Sequence, residues 1–172
     1  MPGNIILIGF SGTGKSSVGR SLATRLGWGF VDLDDALVAR FGRPLSQVFA
    51  EEGEKAFRQA ERDLVVDYCA RSGQVLALGG GAVTSAANRA SISQGNWIVC
   101  LEASPQTILE RLRADSEEVR PLLQATDHLA RISSLKQSRA SYYAAADHTV
   151  NTDGLPIAEV VERIVQHLRF VP

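Results

Sequence analysis

Near its start the chain carries Ile5-Ile6-Leu7-Ile8, a continuous apolar run that ends at Gly9. A run this short, without polar alternation, predicts a strand buried on both faces. The period then changes. Val18, Leu22 and Leu26 share one face of a helix expected over 15–26, and Gly27 is its stop. Residues 29–33 predict a second strand, and 34–41 a short helix closed by Gly42 and Pro44. Ser46 is the expected cap of the next helix. That helix breaks near Gly53 and continues to about Arg71, with Phe57, Ala60, Leu64 and Tyr68 at helical spacing. Val75 to Leu78 is a third strand, running into Gly79-Gly80-Gly81, and a helix follows over 84–93. Trp97 to Leu101 is a fourth strand, and Ser104-Pro105 opens a helix with proline at its first position. Residues 114–125 are polar and broken by Arg120-Pro121, which predicts a mobile loop. A helix over 127–145, a short strand around Thr149-Val150 and a helix over 156–168 complete the pattern.

Strands alternating with helices predict an α/β fold of three layers, with a five-stranded parallel sheet between helices. Ligands of such sheets bind outside the carboxyl ends of the strands. Gly9, Asp32, Asp34 and Gly79 to Gly81 all fall there.

Bulk properties narrow the function classes. The 172 residues suit one domain, here 1–172, and net charge is −1, so no global field attracts nucleic acid or an anionic membrane. Any anion site must be a local cluster. No apolar stretch approaches the ~20 residues of a membrane span, and no signal peptide is recognisable. Cys69 and Cys100 form no ligand pair and are expected to be buried and reduced, as in a cytoplasmic protein. Trp28 and Trp97 read as packing residues, and His128, His148 and His167 as scattered. Glu117 and Glu118 read as a solvated loop face.

Gly9-Phe10-Ser11-Gly12-Thr13-Gly14-Lys15-Ser16 matches the phosphate-loop pattern G-x-x-x-x-G-K-[ST] in full, between a strand and a helix. Backbone N–H groups in such a loop, with the helix N-terminus behind them, cradle phosphates. Lys15 then reaches the β- and γ-phosphates, and the Ser16 hydroxyl coordinates Mg²⁺. The motif is shared by GTPases, motor ATPases and metabolite kinases; the chain's length favours a small-metabolite kinase. A nucleotide-binding regulatory module without turnover is the alternative of a different class.

The acceptor side is less explicit. Asp32 and Asp34, taken as two apart on a strand, would share a face. One could hold Mg²⁺ through water while the other receives hydrogen bonds from substrate hydroxyls. Arg58 follows the apolar Phe57, with Glu61 three residues on to steady its guanidinium. An arginine so held suits a carboxylate. Three successive glycines at a strand end make sense where a ligand approaches the backbone closely.

Together these motifs resemble those of the shikimate kinase family over essentially the whole chain. The resemblance rests on the phosphate loop, Asp32-x-Asp34, Phe57-Arg58-x-x-Glu61, Gly79-Gly80-Gly81, Arg120-Pro121-Leu122-Leu123, Arg139 and Asn151-Thr152-Asp153. It implies a P-loop NTPase fold of the nucleoside-monophosphate-kinase type. It also implies transfer of the γ-phosphoryl group of ATP to the 3-hydroxyl of shikimate, with one Mg²⁺. By that resemblance Lys15, Asp34 and Arg120 would be catalytic. Gly12, Thr13, Gly14, Lys15, Ser16, Ser17, Arg113, Arg120, Asn151, Thr152 and Asp153 would bind ATP, with Arg113 stacked on adenine. Asp34, Arg58, Gly79, Gly80, Gly81 and Arg139 would bind shikimate, and Ser16 and Asp32 the metal. Residues 33–61 would form the shikimate-binding region and 113–124 the mobile lid. The expected partners are ATP and shikimate, with no nucleic acid or membrane, and a monomer in the cytoplasm. Gluconate and nucleoside monophosphates are the rival acceptors on the same fold. The family sets a Tyr four residues after its Arg and Ala-Asp four after that Tyr; Arg139–Tyr143 meets the first spacing and Tyr142–Ala146-Asp147 the second.

Overall fold

The computed structural model describes residues 2–115 and 127–168. Five parallel strands form one sheet: β1 (Asn4–Ile8), β2 (Gly29–Asp32), β3 (Gln74–Ala77), β4 (Trp97–Glu102) and β5 (His148–Asn151), in the order β2-β3-β1-β4-β5. The helices are α1 (Lys15–Leu26), α2 (Leu33–Phe41), α3 (Leu45–Glu51), α4 (Gly53–Cys69), α5 (Ala86–Ile92), α6 (Pro105–Ala114), α7 (His128–Tyr143) and α8 (Ile157–Leu168).

All five residues of β1 are buried because its side chains feed two different cores. Ile5 and Leu7 join Val18 and Leu22 of α1 and Val160, Val161 and Ile164 of α8. Ile6 and Ile8 point the other way, toward Leu37 of α2, Phe57 and Val65 of α4, Ile92 of α5 and Tyr143 of α7. The period-two alternation of a strand therefore reads as a continuous apolar run when both faces are covered. A third cluster joins Phe10 of the phosphate loop to Ile108 and Leu112 of α6 and Ile132 of α7. Trp97 is buried, and Trp28 packs on the first core from the side.

Local chemistry explains most boundaries and corrects several expectations. Gly27 and Gly42 close their helices in the left-handed conformation, and Ser104 caps α6 by accepting from the Thr107 amide. Ser46 caps nothing: α3 starts one residue earlier, behind Pro44, whose fixed φ suits a helix start. The helix expected over 84–93 is a 3₁₀ turn at Ala82–Thr84 followed by α5, because Ser85 caps at Asn88 N and resets the helix. The histidines are not all scattered: His148 and His167 stack at 3.7 Å between ring centroids, on β5 and α8. Cys100 is buried, but Cys69 is only half-buried. Burial pushes the Cys69 thiol up to about 11 and Cys100 to about 12, the latter helped by Glu102, so both stay protonated at neutral pH. Among the described residues no helix is long and apolar enough to cross a membrane.

Candidate active site

The site lies at the carboxyl ends of β1, β2 and β3, where a cavity of about 410 Å³ opens. Residues 11–18, Asp32, Asp34, Gly79, Gly80, Arg111 and Thr152 are among those lining it. Its floor is the phosphate loop. Gly9 takes φ 140°, and a Cβ there would lie 2.3 Å from the Leu101 carbonyl oxygen, so only glycine lets the loop leave β1. Gly14, at φ 96°, caps α1 without a side-chain hydrogen bond, and no acidic residue occupies the helix's first turn. The N-terminal N–H groups and partial positive charge of α1 thus face the cavity uncompensated by a carboxylate of the helix itself. Thr13 Oγ1 donates to the Phe10 carbonyl at 2.8 Å, and Lys15 Nζ to the Gly9 and Phe10 carbonyls, each at 2.9 Å. Lys15 is 9% exposed, so its ammonium is held over the loop rather than in solvent.

Ser16 and Asp32 meet directly, with Ser16 Oγ donating to Asp32 Oδ2 at 2.5 Å. A hydroxyl and a carboxylate oxygen at the mouth of a phosphate loop are the hard oxygen donors that suit Mg²⁺ together with substrate phosphates and waters. Among the described residues there is no group of three or more His, Cys, Asp or Glu side chains that could hold a metal ion.

The premise that Asp32 and Asp34 share a strand face does not hold. Asp32 ends β2 and caps α2, accepting from the Asp34 amide at 3.0 Å, while Asp34 lies in the first turn of the helix. Both still line the cavity, because the strand-to-helix turn brings them to its rim together.

The three glycines keep ordinary negative or extended φ values, so conformation does not require them. Space does. A Cβ at Gly79 would come 2.9 Å from Asp34 Oδ1; at Gly80, 3.1 Å from Ser11 N; at Gly81, 3.2 Å from Arg58 Nη2. Each glycine keeps room for a different part of the site. Arg58, on α4, is gripped by Glu61, whose two carboxylate oxygens accept from Nη1 at 3.1 and 3.0 Å. Glu61 is 2% exposed, and burial raises its proton affinity above the ordinary carboxylate range against the pull of Arg58. From α7, Arg139 Nη1 donates to the Gly80 carbonyl at 3.0 Å and Tyr143 Oη to the same oxygen at 2.9 Å. The Arg139 guanidinium also lies over the Phe10 ring, at 5.5 Å. Residues 139 and 143 are therefore one turn apart on the face turned to the site, while Tyr142 lies under Arg89 and Asp147 accepts from the Ile98 amide.

Toward the nucleotide end the expected residues are spread more widely. Thr152 is buried; its Oγ1 donates to the Glu102 carbonyl at 3.0 Å and accepts from Arg111 Nη1 at 2.9 Å. Asn151 Oδ1 accepts from the Asp153 amide, and the Asp153 carboxylate accepts from the Ser104 amide, which holds it below the usual carboxylate range. Ser17 lines the cavity; Arg113 does not, its guanidinium lying 3.5 Å from His128 Nδ1. Arg111 lines it instead, bridging the Gly12 carbonyl and Thr152. Arg120, the Arg120-Pro121-Leu122-Leu123 motif, Glu117 and Glu118 lie outside the described residues, as does most of 113–124.

Four neighbours had no site role in the sequence, although Tyr143 was met through its spacing from Arg139. Tyr143 and Arg111 are site residues by contact, and Asn88 reaches the glycine turn. Phe49 of α3 meets Phe57 at 4.4 Å between centroids with the rings tilted by 32°, yet stays 40% exposed, while the Arg58 guanidinium lies over the Phe57 ring.

The shikimate kinase family model matches residues 11–169. The chain belongs to the shikimate kinase family. A shikimate kinase of Moorella thermoacetica is 43% identical over 169 residues, 98% of this chain and 96% of that relative. The structure of an Acinetobacter baumannii shikimate kinase in complex with shikimate superposes with a TM-score of 0.91 at 33% identity, covering 98% and 94% of the two chains. A gluconokinase from Sinorhizobium meliloti superposes with a TM-score of 0.60 at 22% identity over 98% and 97%, which shows a shared fold and nothing finer. As a shikimate kinase the chain is an ATP-dependent phosphotransferase of aromatic amino acid biosynthesis, with the expected P-loop fold.

Proposed function

We propose that the chain transfers the γ-phosphoryl group of ATP specifically to the 3-hydroxyl of shikimate, using the residues assembled around the glycine run. One observation carries this reading. Two guanidinium groups, Arg58 and Arg139, converge on Gly80-Gly81, and Gly80 abuts the phosphate loop at Ser11. A carboxylate held there by parallel hydrogen bonds from the arginines leaves the ring hydroxyls of its owner facing the triphosphate.

In this reading the backbone of residues 12–17 holds the phosphates, and Lys15 exchanges its loop carbonyls for the β- and γ-phosphate oxygens. Ser16 would hold Mg²⁺ directly and Asp32 would hold it through water. When bound, the ion neutralises charge on the transferring group and orients it. Asp34, placed against Gly79, orients the attacking hydroxyl and is positioned to take its proton. Glu61 keeps the Arg58 fork pointed at the acceptor, and Tyr143 shares with Arg139 the task of fixing the Gly80 carbonyl. Arg120 reaches the transferring phosphate from a lid over 113–124, whose closure excludes water. Arg113 and residues 151–153 hold adenine. The protein works as a monomer in the cytoplasm.

Coupled ADP release measured with MgATP and a panel of shikimate, gluconate and nucleoside monophosphates tests the reading. Shikimate alone should drive turnover, and the product should carry phosphate at O3 by ³¹P–¹H NMR. Turnover with gluconate instead would move the assignment to a sugar-acid kinase. ATP consumption indifferent to every acceptor would favour the regulatory module. Size-exclusion with light scattering tests the monomer, and EDTA with Mg²⁺ add-back tests the metal.

A further inference from the structure

Thr152 follows β5, is 2% exposed and still borders the cavity. It reaches the phosphate loop directly. Its Oγ1 lies 3.3 Å from the Thr13 carbonyl oxygen and 3.0 Å from that of Glu102. Arg111 holds the same hydroxyl from α6 through Nη1 at 2.9 Å, while its Nη2 donates to the Thr152 carbonyl at 2.9 Å. A guanidinium only donates, so it takes a lone pair of Oγ1 and turns the hydroxyl proton toward the two carbonyls. The Glu102 carbonyl already accepts from the Thr152 amide at 2.8 Å. Of the two, the Thr13 carbonyl is therefore the one that depends on this side chain. That carbonyl and the Gly14 N–H belong to one planar trans peptide and point in opposite directions. Gly14 sits at φ 96° with no side chain to hold the peptide, and the space where a Cβ would lie is open out to Val18, 3.9 Å away.

We infer that Thr152 is a positioning residue for the nucleotide's phosphates, its hydroxyl gripping the Thr13 carbonyl so that the Gly14 N–H stays aimed at the triphosphate. The inference rests on the reading that the backbone of residues 12–17 holds the phosphates, and deepens it. Arg111 anchors the preceding carbonyl, that of Gly12, at 3.3 Å, so the two residues restrain successive peptides of the loop. The Thr152 hydroxyl is spent within the protein, on the loop and on Arg111, rather than on a base. Without it the Thr13–Gly14 peptide rotates more freely. Ordering it then falls to the nucleotide, at a cost in affinity.

The test compares Thr152→Val, which keeps the shape and deletes the hydroxyl, with Thr152→Ser, which keeps the hydroxyl. KM for ATP should rise about tenfold in the valine variant, as for a buried carbonyl left without its donor, and by more than KM for shikimate. Thr152→Ser should restore most of the loss. ¹⁵N NMR of the Gly14 amide reads the peptide itself. In Thr152→Val without nucleotide that resonance should move, and the further shift produced by MgADP should need about tenfold more ligand. A Gly14 resonance unmoved by Thr152→Val, equal losses in the valine and serine variants, or equal rises in the two KM values would each overturn the inference. If Thr152→Val fails to fold, Thr152→Ala is compared with Thr152→Ser on the same readouts, since those two differ only in the hydroxyl. A Gly14 amide that MgADP leaves unmoved in the unmodified protein defeats instead the phosphate role of residues 12–17, and the inference with it.

Discussion

The halves of the site proposed for the nucleotide and for the acceptor are built in opposite ways. The first is nearly one segment: residues 9–16 carry the turn, the lysine and the hydroxyl, and α1 begins inside the motif. Asp32, Arg111 and Thr152 join it from elsewhere by hydrogen bonds to Ser16, Gly12 and Thr13. The acceptor half has no such segment. Asp34 arrives from α2, Arg58 and Glu61 from α4, the glycines from the end of β3, and Arg139 and Tyr143 from α7. A contiguous loop is specified by local backbone chemistry, so its function survives changes in distant packing. A pocket drawn from four elements depends on how those elements sit on the sheet.

That difference can be broken from either side. The largest effect belongs to Lys15→Ala. Removing the one cation built into the loop should cost kcat about 10³-fold, roughly 4 kcal/mol of transition-state stabilisation, with KM for shikimate little changed. Single-turnover phosphoryl transfer measures it, and a change confined to KM would contradict the role. Next comes Arg58→Ala, which should raise KM for shikimate about 10²-fold, as for an unpaired buried charge contact, with KM for ATP unchanged. Arg58→Lys should recover little, because an ammonium lacks the planar fork that Glu61 holds.

The glycines probe the border between the halves. Gly79→Ala drives a Cβ against the Asp34 carboxylate, a movable side chain, and should raise KM for shikimate about tenfold, alone. Gly80→Ala meets the Ser11 amide and the Gly9 carbonyl, which are backbone, and should impair both substrates together. Equal effects on the two KM values from both variants would erase the division proposed here. The smallest expected effect is on pH. Burial lifts the Glu61 pKa above 4.5, so Glu61 is ionised above that raised value and protonates as pH falls through it. Shikimate affinity should therefore decline on the acid side at a higher pH than an ordinary glutamate would give, by a few-fold. Glu61→Gln should flatten this limb; an acid limb unchanged in that variant would assign it to another group.

How far each half was legible follows from the same contrast. The apolar run of β1, the phosphate loop and the start and stop of α1 were readable because each depends on neighbours within one turn or one strand. Asp32 and Asp34 both reach the cavity rim, but not by the strand spacing. The sequence offers a strand spacing, whereas the Asp32 side chain caps α2 and turns the chain before Asp34 is reached. Arg58–Glu61 was visible as an i,i+3 pair, but its depth was not, since burial of Glu61 comes from α2 and α5 packing over α4. Phe49 and Asn88 carried no motif, Tyr143 only the spacing from Arg139, and the stacking of His148 on His167 joins residues on different elements.

By itself the sequence determined the strand–helix alternation, the phosphate-binding segment and the set of charged residues available for an acceptor, because these follow from covalent order, turn chemistry and hydrophobic period. Tertiary structure decided which of those charges meet. The sheet order β2-β3-β1-β4-β5 sets β3 beside β1, bringing the glycine run against the phosphate loop, and the helices behind it aim Arg58 and Arg139 at the same turn. The reason is one of range: a turn or a cap is fixed by atoms a few bonds away, whereas the direction of a guanidinium carried by a distant helix is fixed by everything that helix packs against.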